Sequence, residues 1–282
     1  MQPEQAIAHV PVRRIQPSRG AIHLDLPETW RFRELLYFLI WRDIKSRYRQ
    51  TVLGTFWAIA RPFISMVIFT IIFGHLAGIK TGSSLPYPLF VYPALLVWTY
   101  FGSALSGGSS SVLGNGSLIS KAYFPRLYIP AAAVLAPLVD FALALVVLFG
   151  VFAWYQRLPS WHIVFLPFFL GLTILTSLGL SLWLGALTVR YRDVPFALPF
   201  VIQIWLYATQ VIYPTSLIPK SWQWLIALNP LAGVVTGTRW SLVGGGAPSA
   251  LYLGTSIGIG LALLAGGFVY FRLREPSFPD HV

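Results

Sequence analysis

Residues 41–54 read WRDIKSRYRQTVLG, and the apolar segment behind them carries almost no charge. Arg42, Lys45, Arg47 and Arg49, with Arg61 shortly after, therefore gather at its threshold. Such a cluster could be a nucleic-acid arm, a solvated helix face, or the foot of a chain that enters a membrane. From Trp30 to Thr51 there is neither Gly nor Pro. Tyr37, Ile40, Trp41, Ile44 and Tyr48 recur at helical spacing on one face, and Arg42, Lys45 and Arg49 on the opposite one. The spacing predicts a helix over 30–51 lying along the cytosolic leaflet, its apolar face widened by Leu35, Phe38 and Leu39. Each cation beside an anionic leaflet contributes about 1 kcal/mol to holding it there.

Composition favours the membrane. Hydrophobic residues make up 56% of the 282 positions and charged ones 10%, against about 25% charged in a soluble domain. Mean hydropathy is +0.68. A chain with so few charges cannot cover itself with a polar surface. Six stretches approach the ~20 apolar residues of a spanning helix: 58–79, 86–107, 128–154, 163–187, 195–213 and 250–271. Between the last two, YPTSLIPKSWQWLIALNPLAGVVTGTRWSLVGGG is apolar but broken by Pro214, Pro219, Pro230 and glycines. It reads as two short helices that dip into the membrane and return, which requires protein or water to satisfy the broken backbone. The fold class is thus an all-α integral membrane protein, with residues 30–282 forming one transmembrane domain. Residues 1–29 lack an apolar core and read as a mostly disordered cytosolic tail.

Loop charge gives the orientation. With the N-terminus inside, ten basic residues from Arg13 to Arg61, then Lys121, Arg126, Arg190, Arg192, Arg272 and Arg274, face the cytosol; Lys80, Arg157, Lys220 and Arg239 face outward. Sixteen against four predicts both termini in the cytosol. The same distribution accounts for the +11 charge without nucleic acid. The absence of Cys removes thiol catalysis and thiolate metal sites. No Gly-Lys pair occurs, so the phosphate-cradling loop G-x-x-x-x-G-K-[ST] is missing.

The order of the motifs carries a family resemblance. An interface helix with RYRQTVLGTFWAIARP, then KAYFPRLYIP after the second span, VRYRDV after the fourth and YP…IP…LNPL after the fifth resembles the membrane subunit of type-2 ABC exporters. Among these it is most similar to the bacterial polysaccharide exporters, which handle O-antigen, capsule or teichoic-acid chains. The resemblance covers residues 30–271. It implies a permease and not an enzyme, in the bacterial inner membrane, paired with a second copy of itself. It also implies two copies of a separate ATPase that bind ATP and Mg, so that this chain carries no cofactor. Two loops would receive the ATPase's motion: 114–126, with Ser117, Lys121, Pro125 and Arg126, and the Arg190–Asp193 turn, with Tyr191, Arg192 and Asp193. Arg47, Arg49 and Arg61 would flank the entrance for a lipid-phosphate head. A path lined from the first and fifth spans would present flat aromatic rings to sugar C–H faces; Phe56, Trp57, Phe63, Tyr100, Trp205 and Tyr207 are the candidates. Tyr213, Pro214, Pro219, Asn229 and Pro230 would form an outer gate.

Other classes remain open at this stage. A drug or lipid exporter of the same superfamily shares the architecture. A membrane transferase wants paired carboxylates, and Asp43, Asp193 and Glu275 stand singly beside arginines. Asp140 is the acid inside a span; with no partner evident, it reads as a hydrogen-bonded structural residue in preference to a proton relay. The small-residue patterns GHLAG at 74–78 and GTSIG at 254–258 suit close helix packing.

Overall fold

A computed structural model describes residues 30, 32–49, 54–81, 85–121 and 124–280. The tail at 1–29, the end of the expected interface helix at 50–51 and Ala122–Tyr123 of the first loop lie outside these residues. Among the described residues the secondary structure is entirely helical. In chain order the α-helices are α1 Arg33–Tyr48, α2 Gly54–Phe69, α3 Tyr87–Gly114, α4 Gly116–Lys121, α5 Tyr128–Leu135 and α6 Leu138–Trp154. There follow α7 Leu166–Arg190, α8 Val194–Ala208, α9 Gln223–Ala227, α10 Ala232–Val243 and α11 Ala250–Arg274.

α3 is the axis of the bundle. It is apolar on every side, as a helix surrounded by other helices should be, and Leu89 to Val97 are all buried. α7 packs along it, with α5, α6, α8, α10 and α2 around the remainder, while α11 lies along the far side of α7. In lipid a bundle gains no hydrophobic drive between helices, so contact depends on close approach. α3 and α7 meet where a Cβ on Gly108 would collide with Ser181. α7 and α11 meet at Gly179 and Gly267, each seated against the other helix's backbone. The expected small-residue patterns behave differently. Gly254 and Gly258 face open space, whereas Gly74 rests on the Tyr87 ring. Helical periodicity put Gly254 and Gly258 on one stripe but could not say which stripe of α11 is covered.

Among the described residues five helices are long and apolar enough to cross a membrane: Phe56–Leu76, Tyr87–Gly114, Tyr128–Trp154, Trp161–Arg190 and Ala250–Phe278. Five of the six expected spans thus recur, 128–154 with the same ends and the other four with shifted ones. The first continues α2 through a π-helical stretch, Thr70–Leu76. The expected span at 195–213 is shorter: α8 has 15 residues, or ~22 Å, against a hydrocarbon core of ~30 Å. It stops because Thr209 turns extended, its hydroxyl bonding back to the Trp205 carbonyl at 2.8 Å. The broken segment then runs through single 3₁₀ turns, Thr215–Leu217 and Lys220–Trp222, into α9 and α10.

The interface helix splits its apolar residues between two sides. Leu39 is its buried residue, and Phe32, Leu35, Leu36 and Ile40 join it against Tyr128 and Ala132 of α5. Tyr37 and Trp41, from the face expected along the leaflet, are 69% and 56% exposed. Apolar side chains thus lie on both sides of α1: one set meets protein and the other stays open. Spacing marks apolar residues but not which of them a neighbouring helix covers.

Candidate functional site

The cations of the opening stretch separate in space. Arg47 donates to Asp140 Oδ2 at 2.9 Å, and the Tyr48 hydroxyl donates to Asp140 Oδ1. Burial, and then the Asp140 carboxylate, push the Tyr48 phenol above its ordinary pKa, so it stays a proton donor. Asp140 therefore has the partners that sequence could not show, supplied from 92 and 93 residues away. Arg47, Tyr48 and Asp140 border a cavity of about 200 Å³ together with Trp57, Arg61 and Tyr100. Two guanidinium groups against one carboxylate leave this cavity net positive. Arg49 is exposed outside it. Removing one member should cost little, because the pair is partly solvated. In a double-mutant cycle, Asp140→Asn and Arg47→Gln are expected to couple by about 0.5–1 kcal/mol in thermal unfolding; a coupling of zero would show the pair to be idle.

The candidate channel aromatics divide into two sets. Phe56, Trp57 and Phe63 on α2 and Tyr207 on α8 are exposed. Tyr100 is buried, its hydroxyl donating to the Val134 carbonyl at 3.0 Å. Trp205 is packed edge-on against Trp98 and Phe101. These last two belong to the wall and not to an open face. Sequence did not separate them because α3 is apolar on every side and α8 is apolar on its packed and open sides alike.

Trp205 instead ties α8 to the expected gate. Its indole donates to Asn229 Oδ1 at 3.1 Å, the Asn229 amide donates to Thr209 at 2.8 Å, and Leu231 N donates to Asn229 Oδ1. Tyr213 donates to the Tyr207 carbonyl at 3.0 Å. Pro214 and Pro230 are buried and Pro219 is exposed. Asn229 thus clamps the end of α8 to the start of α10. Asn229→Ala strips three hydrogen bonds and should destabilise the protein by about 1–3 kcal/mol, read as a fall in thermal midpoint; Trp205→Phe should recover part of that cost when combined with it.

At the opposite end of the bundle the two loops come together. The first holds a short helix, α4, with Ser117 and Lys121 exposed. Ile119 and Phe124 from this loop, Val189 from the end of α7, and Phe271 share one buried cluster. Tyr191, Arg192 and Asp193 project beside it, all exposed. Asp193 has no ion pair among the described residues, against expectation; it precedes α8, and the Arg190 guanidinium lies over the Tyr191 ring instead.

Two features escaped sequence reasoning. The 3₁₀ turn Glu275–Asp280 folds back beneath α4, burying Phe278, and the Glu275 carbonyl accepts from Arg126 at 2.5 Å. Nothing in EPSFPD marks it except one Phe among prolines. Arg239, counted as an outward loop cation, lies inside the fold on α10. It donates to the carbonyls of Phe90, Gln210 and Val211 and stacks 3.7 Å from the Phe90 ring centre. A single Arg in an apolar run was the available signal.

Sequence comparison extends these observations. Over 258 residues, 90% of this chain and 98% of the relative, it is 27% identical to the O-antigen export system permease protein RfbA of Myxococcus xanthus. A Klebsiella pneumoniae O-antigen export system permease protein is 29% identical over 210 residues, covering 73% of this chain and 79% of its own length. The polysialic acid transport protein KpsM of Escherichia coli is 24% identical over 240 residues, covering 85% and 93%. Residues 34–243, from the interface helix to the end of α10, match the ABC-2 type transporter domain, and the chain belongs to that family as a membrane permease.

Proposed function

We propose that this chain is the transmembrane subunit of an ATP-driven exporter that moves a lipid-linked cell-surface polysaccharide out of the cytosol across a bacterial inner membrane. Two copies pair, each crossing six times with α8 as the short fifth crossing and both termini cytosolic. Two ATPase subunits dock beneath them and bind ATP and Mg. The cargo class is supported by relatives, aligned along nearly their whole lengths, that are named for O-antigen and polysialic acid. The mechanical part is supported by one observation: Ile119 and Phe124 of the first loop share a buried cluster with Val189, which lies on α7 just ahead of the exposed Arg190–Asp193 turn.

The residues then take these roles. Ser117, Lys121, Pro125, Arg126, Tyr191, Arg192 and Asp193 receive the ATPase's movement. The net-positive cavity at Arg47 and Arg61 admits the phosphate-bearing head, as paired guanidinium groups suit phosphate oxygens. Phe56, Trp57, Phe63 and Tyr207 offer exposed rings for the glycan.

A drug or lipid exporter is the second reading, favoured by an apolar cavity of about 580 Å³ between α2 and α6 bordered by Phe63, Val67, Ile71 and Val151. The deciding experiment reconstitutes the chain with the ATPase encoded beside it in vesicles carrying lipid-linked glycan. ATP-dependent glycan movement is expected, with its loss in Arg192→Ala while the ATPase stays bound. Movement of labelled lipid or drug with no glycan movement would overturn the polysaccharide reading.

A further inference from the structure

We propose that the cavity beside Arg239 binds a sugar unit that carries an anionic group, a carboxylate or a phosphate. It lies at the end of the bundle away from the 114–126 and 190–193 loops, has a volume of about 400 Å³, and is bordered by Arg239 with Phe90, Thr215, Thr236, Trp240 and Tyr252.

The charge argument comes first. No acid pairs with Arg239 among the described residues. A guanidinium taken out of water is costly unless paired, and carbonyl dipoles with an aromatic face compensate only in part. Of its nitrogens, Nε and Nη2 are committed to the three carbonyls. Nη1 carries the remaining donors. A fork held rigidly by backbone on one edge and uncommitted on the other presents a fixed site for an oxyanion.

The second argument concerns what else the ligand must be. An inorganic ion would leave most of this volume empty. Its border combines Trp240 and Tyr252 with Thr215 and Thr236, whose hydroxyls donate to Gln210 Oε1 and the Ala232 carbonyl and so keep acceptor capacity for a ligand hydroxyl. The Tyr252 hydroxyl is buried and has no hydrogen-bond partner among the described residues. Flat rings for C–H faces and hydroxyls for hydroxyls are the complement of a sugar ring. By contrast, the cavity between α2 and α6 is lined by aliphatic and aromatic carbon and suits no such ligand. That the sugar belongs to the exported chain rests on the function proposed above; the binding itself does not.

The test uses the purified full chain in lipid nanodiscs without its ATPase, so it is independent of transport. Glucuronate, glucose 6-phosphate, glucose and inorganic phosphate are titrated by calorimetry. At least one of the two charged sugars should bind, with Kd on the order of 1 mM; comparing the two says whether carboxylate or phosphate is preferred. Glucose should bind roughly tenfold or more weakly, for want of the charged hydrogen bonds. Arg239→Gln should abolish binding, but that change also strips three carbonyls of their donor. Gly246→Glu is the safer variant: Gly246 borders the cavity and a Cβ there meets nothing within 4 Å. Its carboxylate would compete for Arg239, lowering affinity roughly tenfold with the thermal midpoint kept. Glucose binding as well as both charged sugars, inorganic phosphate binding as well as glucose 6-phosphate, wild-type affinity in Gly246→Glu, or no binding of any probe at tens of millimolar each overturn the proposal.

Discussion

Gly179→Val and Gly267→Val should each destabilise the purified protein by about 3 kcal/mol, at the upper end of overpacking costs. At Gly179 an added Cβ would lie 2.6 Å from Leu264 N and 2.8 Å from Leu263 C. At Gly267 it would overlap the Gly179 carbonyl and press on Trp183. These neighbours are largely backbone, so no rotamer change relieves them and the two helices must part. Parting also breaks the Trp183 indole bond to the Leu263 carbonyl, 3.2 Å long. Gly254→Ala and Gly258→Ala on the same helix should be neutral or stabilising, since both meet open space and Ala favours a helix over Gly by ~1 kcal/mol. Gly237→Ala offers a further contrast. Its neighbour is the Phe169 ring, a side chain, so a second change, Phe169→Leu, should restore part of the loss. Equal midpoints for Gly179→Val and Gly254→Ala would show that the α7–α11 seam is misplaced.

The same helices show how much the sequence could tell. Membrane class and the places of five of the six expected spans follow from hydropathy, which is a local property. α3 and α11 have similar composition, yet one is enclosed and the other half open to lipid. In a bilayer both environments are apolar, so hydropathy carries no record of which side meets protein. That is why hydropathy does not say which side of α1 packs on α5 or which stripe of α11 meets α7. Polar residues were more informative but only singly. Asp140 stood out as an isolated charge in an apolar run while Arg239 was counted with the outward loops, and the partners of both, Arg47, Tyr48 and three backbone carbonyls, come from distant segments. A carbonyl acceptor leaves no trace in sequence at all. Asn229 was read as part of a gate from its prolines; its actual bonds run to Trp205 and Thr209, joining two groups of residues that had been assigned separate roles.

Phe278→Ala should uncouple ATP hydrolysis from transport. Phe278 is 1% exposed and meets Phe271 edge-on at 5.1 Å, in the cluster that also holds Ile119 and Phe124 of the first loop. Truncating a buried Phe removes about 3–5 kcal/mol of packing. Phe278 is the buried side chain of the Glu275–Asp280 turn, which is held also by the Arg272–Glu275 pair at 3.0 Å, the Arg126 bond to the Glu275 carbonyl and the Ser277 hydroxyl on the Arg274 carbonyl at 2.8 Å. A single turn at the edge of the fold, deprived of its buried side chain, releases locally before the bundle unfolds. The long helices would stay assembled, since Leu89 to Val97 of α3 are enclosed by other elements. What changes is the floor under α4. With it gone, an ATPase docked as proposed would still have exposed Ser117 and Lys121 to press on, but its push would be taken up by a yielding loop instead of reaching α7 through Val189. Glycan moved per ATP hydrolysed should fall roughly tenfold, while hydrolysis and ATPase binding persist. Phe278→Leu, which keeps most of the buried volume, should restore the ratio. Wild-type transport per ATP in Phe278→Ala would show that the turn is a bystander, and parallel loss of ATPase binding would show that it shapes the docking surface instead of transmitting force.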